Sequence, residues 1–408
     1  MHAVHDEFPQ LPGLRYLNHA AVSPWPQRAV EAVTRFAREN AQTGARDYPD
    51  WLKTEQRLRE RLQRLLNAPA CGDIALVKNT SEALSFVAFG LDWRAGDQVL
   101  ISDEEFPSNR VVWEALRRFG VEVVQVSLKG HAPEDALLAA CGPRTRLMAI
   151  SAVQYASGLR LDLPRLGQGC EARSVLLCID AIQQLGALPF DVQASQCAFA
   201  MADGHKWLLG PEGLGVFYCR SDLRAQLKLH EYGWHMLEHA GDYQRTSWEP
   251  AQSARRFECG SPNMLGAMAL EASLSLLEEV GMTAVENALQ ERMQWLLDGL
   301  SKIPGAHLHS AVERQQRAGA MAAYAGMATA MDREIGRLVA HLKAIGEYEN
   351  SIFVFLSDNG AEATDPMAMG AFARWNATHL YDQSIAQQGR PGSLTAQGAG
   401  FASASVSP

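Results

Sequence analysis

Short runs of apolar residues alternate with helix-like stretches through about the first 300 residues of the chain. The apolar runs are continuous instead of alternating with polar residues, which is typical of strands buried on both faces. The order of strand, helix and strand predicts a mainly parallel sheet covered by helices, and therefore an α/β fold. Strands are predicted at six places: residues 74–77, 98–101, 121–126, 147–151, 175–179 and 214–218.

The pattern changes towards the C-terminus. Two long helices are predicted over 263–279 and 282–300, with Pro304 and Gly305 ending the second. A further amphipathic helix is predicted over 321–345, and a strand over 351–356. From about residue 389 the chain is rich in Gly, Ser and Ala, and we expect loose order there.

Charge and cysteine content narrow the classes of function. Lys and Arg total 37 against 46 Asp and Glu, and the net charge of −9 argues against nucleic acid and anionic membranes as main partners. No apolar run approaches the ~20 residues of a spanning helix, and the first residues do not resemble a secretory signal. Seven cysteines occur singly without a CxxC pair, which is typical of reduced thiols. We therefore expect a cytoplasmic protein.

Two charged residues that follow apolar segments carry the first chemical signal. Asp180 comes directly after a predicted strand, at the end where open α/β sheets bind ligands. Lys206 lies in Gly204-His205-Lys206, close to further glycines. Burial would lower the pKa of such a lysine and make its amine nucleophilic. The alternatives are a helix cap for the aspartate and a surface loop for the lysine.

This pair suits pyridoxal 5′-phosphate (PLP), which needs a lysine for its aldehyde and a carboxylate for its pyridinium nitrogen. The PLP phosphate needs hydroxyls at a helix N-terminus, and Thr80 and Ser81 open a predicted helix after a strand. Phe106 also follows a strand and offers an aromatic face for the ring. An ordinary N-cap and a core phenylalanine are the alternatives. PLP is the predicted cofactor.

Six motifs carry a family resemblance, in this order: Tyr16-Leu-Asn-His19, Asn79-Thr-Ser-Glu-Ala83, Glu105-Phe-Pro-Ser-Asn109, Asp180-Ala-Ile-Gln183, Gly204-His-Lys206 and Arg256-Phe-Glu-Cys-Gly-Ser-Pro-Asn263. Together they resemble the class V aminotransferase family of PLP enzymes, fold type I, over residues 8–309. That family includes cysteine desulfurases, kynureninase and isopenicillin N epimerase-like proteins. Each motif is weak alone, whereas six in order are highly specific.

The resemblance implies roles around the PLP ring. Lys206 forms the Schiff base, and Asp180 pairs with the pyridinium nitrogen. Gln183 donates to the ring hydroxyl. Phe106 stacks on the ring, where desulfurases carry histidine.

The resemblance also implies a phosphate site. Thr80, Ser81 and His205 hold the phosphate, and His205 joins Lys206 and Asp180 among the catalytic residues. Ser261 reaches the phosphate of the neighbouring subunit's cofactor, which implies a homodimer. Many relatives have Ser where this chain has Asp203, and we expect that carboxylate to point away from the phosphate.

The family closes with a small domain of which this chain shows no sign. That domain supplies the arginine that clamps the substrate carboxylate and, in desulfurases, the reactive cysteine. No cysteine follows Cys259, so persulfide chemistry of that kind is not expected. We therefore predict a PLP domain over residues 1–310 without its small domain.

The segment 311–408 instead resembles an internal fragment of an arylsulfatase, most closely around 355–362. Asp358 and Asn359 match residues that bind calcium in sulfatases, although calcium prefers six to eight oxygen ligands. The alternative is a turn after a strand. The sulfatase nucleophile motif is absent, because Cys141-Gly-Pro143-Arg-Thr145 has threonine where arginine is required. No metal site is predicted.

Two other patterns have ordinary interpretations. His230, His235 and His239 lie close together, and the last two have i, i+4 spacing that could hold a metal on a helix. No third ligand is evident, so solvated or stacked histidines are expected. The basic run 57–64 is interleaved with glutamates and predicts a charged outer helix face.

These observations predict a PLP-dependent enzyme that acts on an amino acid, by transamination, racemisation or elimination at Cα. One alternative is a sulfatase-class hydrolase, and another is a catalytically silent remnant that still binds PLP. The expected partners are a small amino-acid substrate and a second copy of the chain, with neither nucleic acid nor membrane.

Overall fold

A computed structural model describes residues 4–302, except 12, 13, 15, 17, 131 and 301, together with residues 394–395 and 404–405. The chain divides into two compact units, Met1–Ser351 and Ile352–Pro408. In the second unit, a short antiparallel pair is described, β8 (Leu394–Thr395) with β9 (Ala404–Ser405). The helix, strand and turn predicted between 321 and 360 lie outside the described residues, as does the predicted domain boundary at 310.

Seven strands of the first unit form one sheet in the order β1-β7-β6-β5-β4-β2-β3. Only β7 is reversed, because it is antiparallel to both of its neighbours while the other pairs are parallel. The carboxyl ends of the other six strands therefore meet at one edge. The strands are β1 Ile74–Val77, β2 Gln98–Ser102, β3 Glu122–Val126, β4 Thr145–Ser151, β5 Leu176–Asp180, β6 Phe199–Asp203 and β7 Gly215–Cys219.

Eight α-helices are described, and five short 3-10 segments accompany them. The helices are α1 Gln27–Thr43, α2 Tyr48–Leu66, α3 Thr80–Gly90, α4 Ser108–Glu114, α5 Pro133–Ala139, α6 Leu163–Glu171, α7 Met264–Val280 and α8 Met282–Leu300. The 3-10 segments are Val4–Glu7, Cys71–Asp73, Ala115–Phe119, Arg224–Gln226 and Ala254–Phe257. None of the described helices is long and apolar enough to cross a membrane.

The sheet is buried on both faces. Leu100 of β2 packs into a core with α2, α6 and α7, whereas its neighbours Val99 and Ile101 pack into a second core with α3 and α4. Strand β5 divides in the same way, with Leu177 and Cys178 in different cores. This confirms the α/β fold with a mainly parallel sheet, which the continuous apolar runs predict.

Helix α2 corrects one prediction. The basic run on this helix is not simply a charged outer face, since Arg59 and Glu55 are both buried. Arg59 Nη2 lies 2.6 Å from Glu55 Oε1 and 2.7 Å from Glu258 Oε2. Glu258 is distant in sequence, so the periodicity of α2 alone could not reveal this pairing.

Candidate active site

The shared edge of the parallel strands brings most of the predicted site residues together. Asp180 ends β5, and Lys206 lies three residues after β6. Phe106 follows β2, and Thr80 begins α3 just after β1. Because these strands run in one direction, their carboxyl ends place the four side chains along one line of the sheet.

Lys206 is a buried lysine that forms no ion pair with any described residue. Its side chain is 8% exposed, and Nζ lies 5.6 Å from the centre of the Phe106 ring. Burial lowers the pKa of Lys206, and the charges of Asp180 and Asp203 partly oppose that effect. A lysine in this state more readily presents a neutral, nucleophilic amine. The surface-loop alternative for Lys206 is therefore wrong.

Asp180 is buried beside this lysine. Its Oδ1 accepts a hydrogen bond from the backbone N–H of Ile182 at 3.0 Å. Burial raises the pKa of Asp180 to about 7, with the Ile182 hydrogen bond and Lys206 acting against it and Glu105 adding to it. An aspartate with this pKa keeps its charge at neutral pH most easily when a cation faces it.

Gln183 joins three segments of the site. Its Nε2 donates to the backbone oxygen of Ala20 at 3.1 Å, and its Oε1 accepts from Trp207 Nε1 at 2.8 Å. A primary amide has two N–H groups, so one remains for a further acceptor. Gln183 therefore has one N–H left for the predicted bond to a ring hydroxyl.

The start of α3 offers hydroxyls and backbone N–H groups. Asn79 caps the helix, because its side chain accepts from Glu82 N at 2.9 Å. The Thr80 hydroxyl is buried and has no hydrogen-bond partner among the described residues. Ser81 Oγ donates to Ser108 Oγ at 2.9 Å, which links the first turns of α3 and α4. The N-terminal N–H groups of a helix favour an anion at such a place.

His205 directly precedes Lys206 in the chain, and its ring lies beside the Asp203 carboxylate. Its Nδ1 is buried without a hydrogen-bond partner among the described residues, and Asp203 Oδ1 lies 3.3 Å away. Ser23 N donates to the His205 backbone oxygen at 2.8 Å. The structure thus places the Asp203 carboxylate beside His205, and its direction relative to the phosphate stays a prediction.

Phe106 is held by an aromatic contact, since its ring lies edge-to-face against Tyr155 with the ring centres 5.2 Å apart. Ser261 does not join the group. It is exposed on the segment before α7, and it forms no hydrogen bond among the described residues. Its contact with a neighbouring subunit stays a prediction.

His235 and His239 do not form the helical pair that a metal site would use, because the residues around them are turns instead of helix. His235 is buried and, with Glu55 and Glu258, forms the one group of potential metal ligands among the described residues. Arg59 already bridges both glutamates, so a cation occupies the place that a metal would need.

The family of the chain follows from its comparison with known proteins. The family model described as "Aminotransferase class-V" matches residues 15–337. The chain belongs to the class-V aminotransferase family. This match extends past the predicted boundary at 310, and it gives no support to a sulfatase-like fragment there.

Curated relatives of this class-V aminotransferase-family chain include cysteine desulfurases. A probable cysteine desulfurase from Methanothermobacter thermautotrophicus is 32% identical over 309 residues, covering 74% of this chain and 76% of the relative. A cysteine desulfurase from Klebsiella pneumoniae is 31% identical over 313 residues, with the same two coverages.

The solved structures that resemble this chain include the same class of enzyme. The cysteine desulfurase CsdA from Escherichia coli has a TM-score of 0.66 at 27% identity, covering 73% of this chain and 77% of its own. The cystine C-S lyase C-DES, in complex with its product cysteine persulfide, has a TM-score of 0.67 at 26% identity, covering 73% and 81%. In another C-DES structure, at a TM-score of 0.68, 25% identity and coverages of 73% and 80%, glycine is covalently linked to the PLP cofactor.

The residues of this chain fit PLP, the predicted cofactor that the comparisons bear out. At this site Thr80 Oγ1 is buried without a partner among the described residues, as expected of a group that awaits a ligand, and His205 Nδ1 forms no hydrogen bond there although Asp203 Oδ1 lies 3.3 Å away. Lys206 supplies an amine without an ion-pair partner, and Asp180 supplies a carboxylate that needs a cation.

Three further residues near the site are given no role by the sequence analysis. Glu105 precedes Phe106 and is buried, Ser108 pairs with Ser81, and Trp207 pairs with Gln183. Glu105 and Ser108 belong to the motif that contains Phe106, and Trp207 follows Lys206, so motif membership and proximity are the available hints. Their roles depend on side-chain hydrogen bonds that periodicity and motif spacing do not report.

Proposed function

We propose that this protein is a PLP-dependent enzyme that acts on an amino acid, with Lys206 as the residue that binds the cofactor covalently. The observation that carries the proposal is the buried Lys206, without an ion-pair partner among the described residues, beside Phe106 and Asp180. When bound, PLP supplies an electron sink for a bond at the amino acid's Cα.

The other residues have distinct tasks in this proposal. Asp180 holds the proton on the ring nitrogen, because its buried carboxylate is stabilised by a facing cation. Phe106 covers one face of the ring, and Gln183 donates its remaining N–H to the ring hydroxyl. The phosphate is held by the α3 N-terminus with Thr80, Ser81 and His205.

Lys206 also moves a proton. Since burial lowers its pKa, the Nζ amine can accept a proton from the substrate's Cα and return it elsewhere without a large cost in free energy. His205 lies next in the chain and orients the phosphate end of the cofactor. Transamination, racemisation and elimination all need this proton movement, and they differ in where the proton goes.

The thiols of this chain favour elimination over a desulfurase reaction that uses a protein cysteine. Burial raises the pKa of all seven cysteines, so no thiolate is prepared to receive sulfur. For the cystine C-S lyase C-DES, cysteine persulfide is the reaction product. We propose a comparable elimination here on a disulfide amino acid such as cystine. Lys206 Nζ takes the Cα proton, the Cβ–S bond breaks as a Cα=Cβ double bond forms, and the sulfur leaves as a persulfide that takes up a proton.

We also propose a cytoplasmic homodimer in which Ser261 completes the neighbouring subunit's phosphate site. The exposed position of Ser261 supports this, since its side chain lies free to meet another molecule. Analytical ultracentrifugation tests the assembly. A monomer that still binds PLP tightly would contradict the shared site.

The experiment that tests the main proposal is covalent labelling. Purified protein is loaded with PLP, its visible absorption is recorded, and borohydride reduction is followed by peptide mapping. We expect a yellow protein and a single labelled peptide that contains Lys206. A label on another lysine, or no visible band, would overturn the proposal.

Turnover decides between an active enzyme and the silent-remnant alternative. A panel of amino acids, including cystine and cysteine, is assayed for pyruvate, sulfide, racemised substrate and keto acid. We expect slow turnover, because the clamp for the substrate carboxylate is predicted to be missing and poor orientation alone costs ~10²-fold. A chromogenic aryl sulfate with calcium should not be hydrolysed, and hydrolysis would revive the sulfatase alternative for residues 311–408.

A further inference from the structure

Glu105 is a buried carboxylate beside the site that the proposed function does not use. It is 6% exposed and follows β2 directly before Phe106. Its two oxygens accept hydrogen bonds from five donor groups: Ser102 Oγ (2.7 Å), Asn109 Nδ2 (2.8 Å), Ser151 N (3.0 Å to both oxygens), Ser151 Oγ (2.6 Å) and Gln154 Nε2 (3.2 Å).

These donors come from separate parts of the site edge. Ser102 ends β2 and Ser151 ends β4, while Asn109 lies in α4. Ser151 is the direct register partner of Asp180 on β5. The Glu105 carboxylate therefore fixes the loops after two strands and adjoins the strand that carries Asp180.

The same hydrogen bonds orient neighbours of the cofactor site. Glu105 precedes Phe106, so locking its carboxylate fixes the backbone from which the Phe106 ring projects. Its bond to Gln154 orients a fully buried amide, whose oxygen has no partner among the described residues. Asn109 is fixed at both ends, because its Oδ1 accepts from Trp113 Nε1 at 2.9 Å.

We propose that Glu105 is a positioning residue of this active site. It fixes the loops that carry Phe106 and Gln154, and its negative charge repels the carboxylate of Asp180. The inference rests on the proposed function, because Asp180 and Phe106 are the residues through which Glu105 acts. It assigns Glu105 no contact with the cofactor.

The charge of Glu105 has a consequence that can be measured. Three charged groups surround Asp180: Glu105 and Asp203 raise its pKa, and Lys206 lowers it. Removing the charge at Glu105 lowers the pKa of Asp180, so Asp180 stays ionised at lower pH. Since the cofactor ring needs the ionised carboxylate, the pH at which PLP affinity falls should also move lower.

The experiment measures PLP affinity of the full chain from pH 5 to 9 by fluorescence quenching, for the parent and for Glu105→Gln, Glu105→Asp and Glu104→Gln. The titrations of PLP itself are common to all four proteins and cancel in the comparison. We expect Glu105→Gln to shift the acid midpoint down by about half a pH unit or more. Glu104 is the matched control, since it is the adjacent residue and its side chain accepts from the Ser157 hydroxyl instead of from the donors around Glu105.

The aspartate variant separates charge from position. Glu105→Asp keeps the charge but withdraws it by one methylene, so we expect the parent midpoint with lower affinity at every pH. The inference is overturned if folded Glu105→Gln keeps the parent midpoint. If Glu105→Gln does not fold, the test rests on Glu105→Asp. The inference is then overturned if Glu105→Asp binds PLP with the affinity of the parent. A parent that fails to bind PLP would instead refute the proposed function.

Discussion

Two groups of buried charges, around Arg59 and around Lys206, differ in whether their charges are paired. Around Arg59, every charge has a partner: Arg59 contacts Glu55 and Glu258 at 2.6–2.7 Å. Around Lys206, acids lie nearby, but none of the described residues forms an ion pair with the lysine. Accordingly, the surrounding glutamates raise the pKa of Arg59, whereas burial lowers that of Lys206.

The difference teaches how to distinguish buried charges that stabilise a fold from those that serve chemistry. The Arg59 group joins α2, the start of β1 and the segment before α7, since Arg59 also donates to Ile74 O and Glu258 accepts from Leu76 N. Its charges are satisfied within the fold. The Lys206 group is left incomplete, and an incomplete buried group with shifted pKa values is typical of an active site.

The largest effect is expected at Lys206, where replacement tests whether the incomplete group performs the chemistry. Lys206→Ala removes the amine that attaches PLP and moves the Cα proton, so turnover should fall on the order of 10⁴-fold. The visible band should vanish after dialysis. Lys129→Ala, at an exposed lysine, is the control and should match the parent. A variant that keeps the covalent label would contradict the assignment.

Arg59 tests the opposite side of the comparison. Arg59→Met leaves two buried carboxylates unpaired, which should cost about 3–5 kcal/mol in the free energy of unfolding. Arg61→Met on the same helix is the control, and its partly exposed pairs with Glu271 and Glu278 predict a loss of about 1 kcal/mol or less. Urea denaturation of the full chain measures both. Equal losses would show that the Arg59 group is no more structural than a surface pair.

Replacing Asp180 with asparagine should lower activity but raise stability. Asp180→Asn should lower turnover by about 10²–10³-fold, because the ring nitrogen loses its charged partner. In the protein without PLP, the pKa of Asp180 is raised to about 7, so the unfolded state ionises first as pH rises from about 4. The parent therefore loses stability over that range, and the variant does not.

Thermal unfolding without PLP measures that difference. Asp180→Asn should have the higher Tm at pH 8, and its advantage should shrink towards pH 5. Asp92→Asn, at an exposed aspartate paired with Lys228, is the control. If the Tm difference between variant and parent were the same from pH 5 to pH 8, the fold would not raise the pKa of Asp180.

The smallest effect is expected at Thr80. Its hydroxyl has no partner among the described residues, so Thr80→Val should leave stability without PLP within about 0.5 kcal/mol. Loss of one hydrogen bond to the phosphate should weaken PLP binding about tenfold. Ser85→Ala on the same helix should change neither. A stability loss without an affinity loss would make Thr80 a structural residue.

The sequence predicts much of the fold because its signals are local. Continuous apolar runs indicate two-sided burial, and the structure has strands at all six predicted places. Residues directly after those runs, such as Asp180, necessarily lie at the strand ends, where a parallel sheet collects them. Thr80 and Ser81 begin a helix because Asn79 can cap it.

What only the tertiary structure decided concerns partners that are distant in sequence. No periodic pattern reports the reversal of β7, the burial of Arg59 against Glu258, or the donors that reach Glu105 from Ser151 and Gln154. Hydrogen bonds and ion pairs between side chains depend on distance and direction in space, and a buried charge is tolerated only where those partners converge. The sequence by itself therefore determined which residues reach the shared edge of the sheet. The packed fold decided which of their charges are satisfied and which stay open for a ligand.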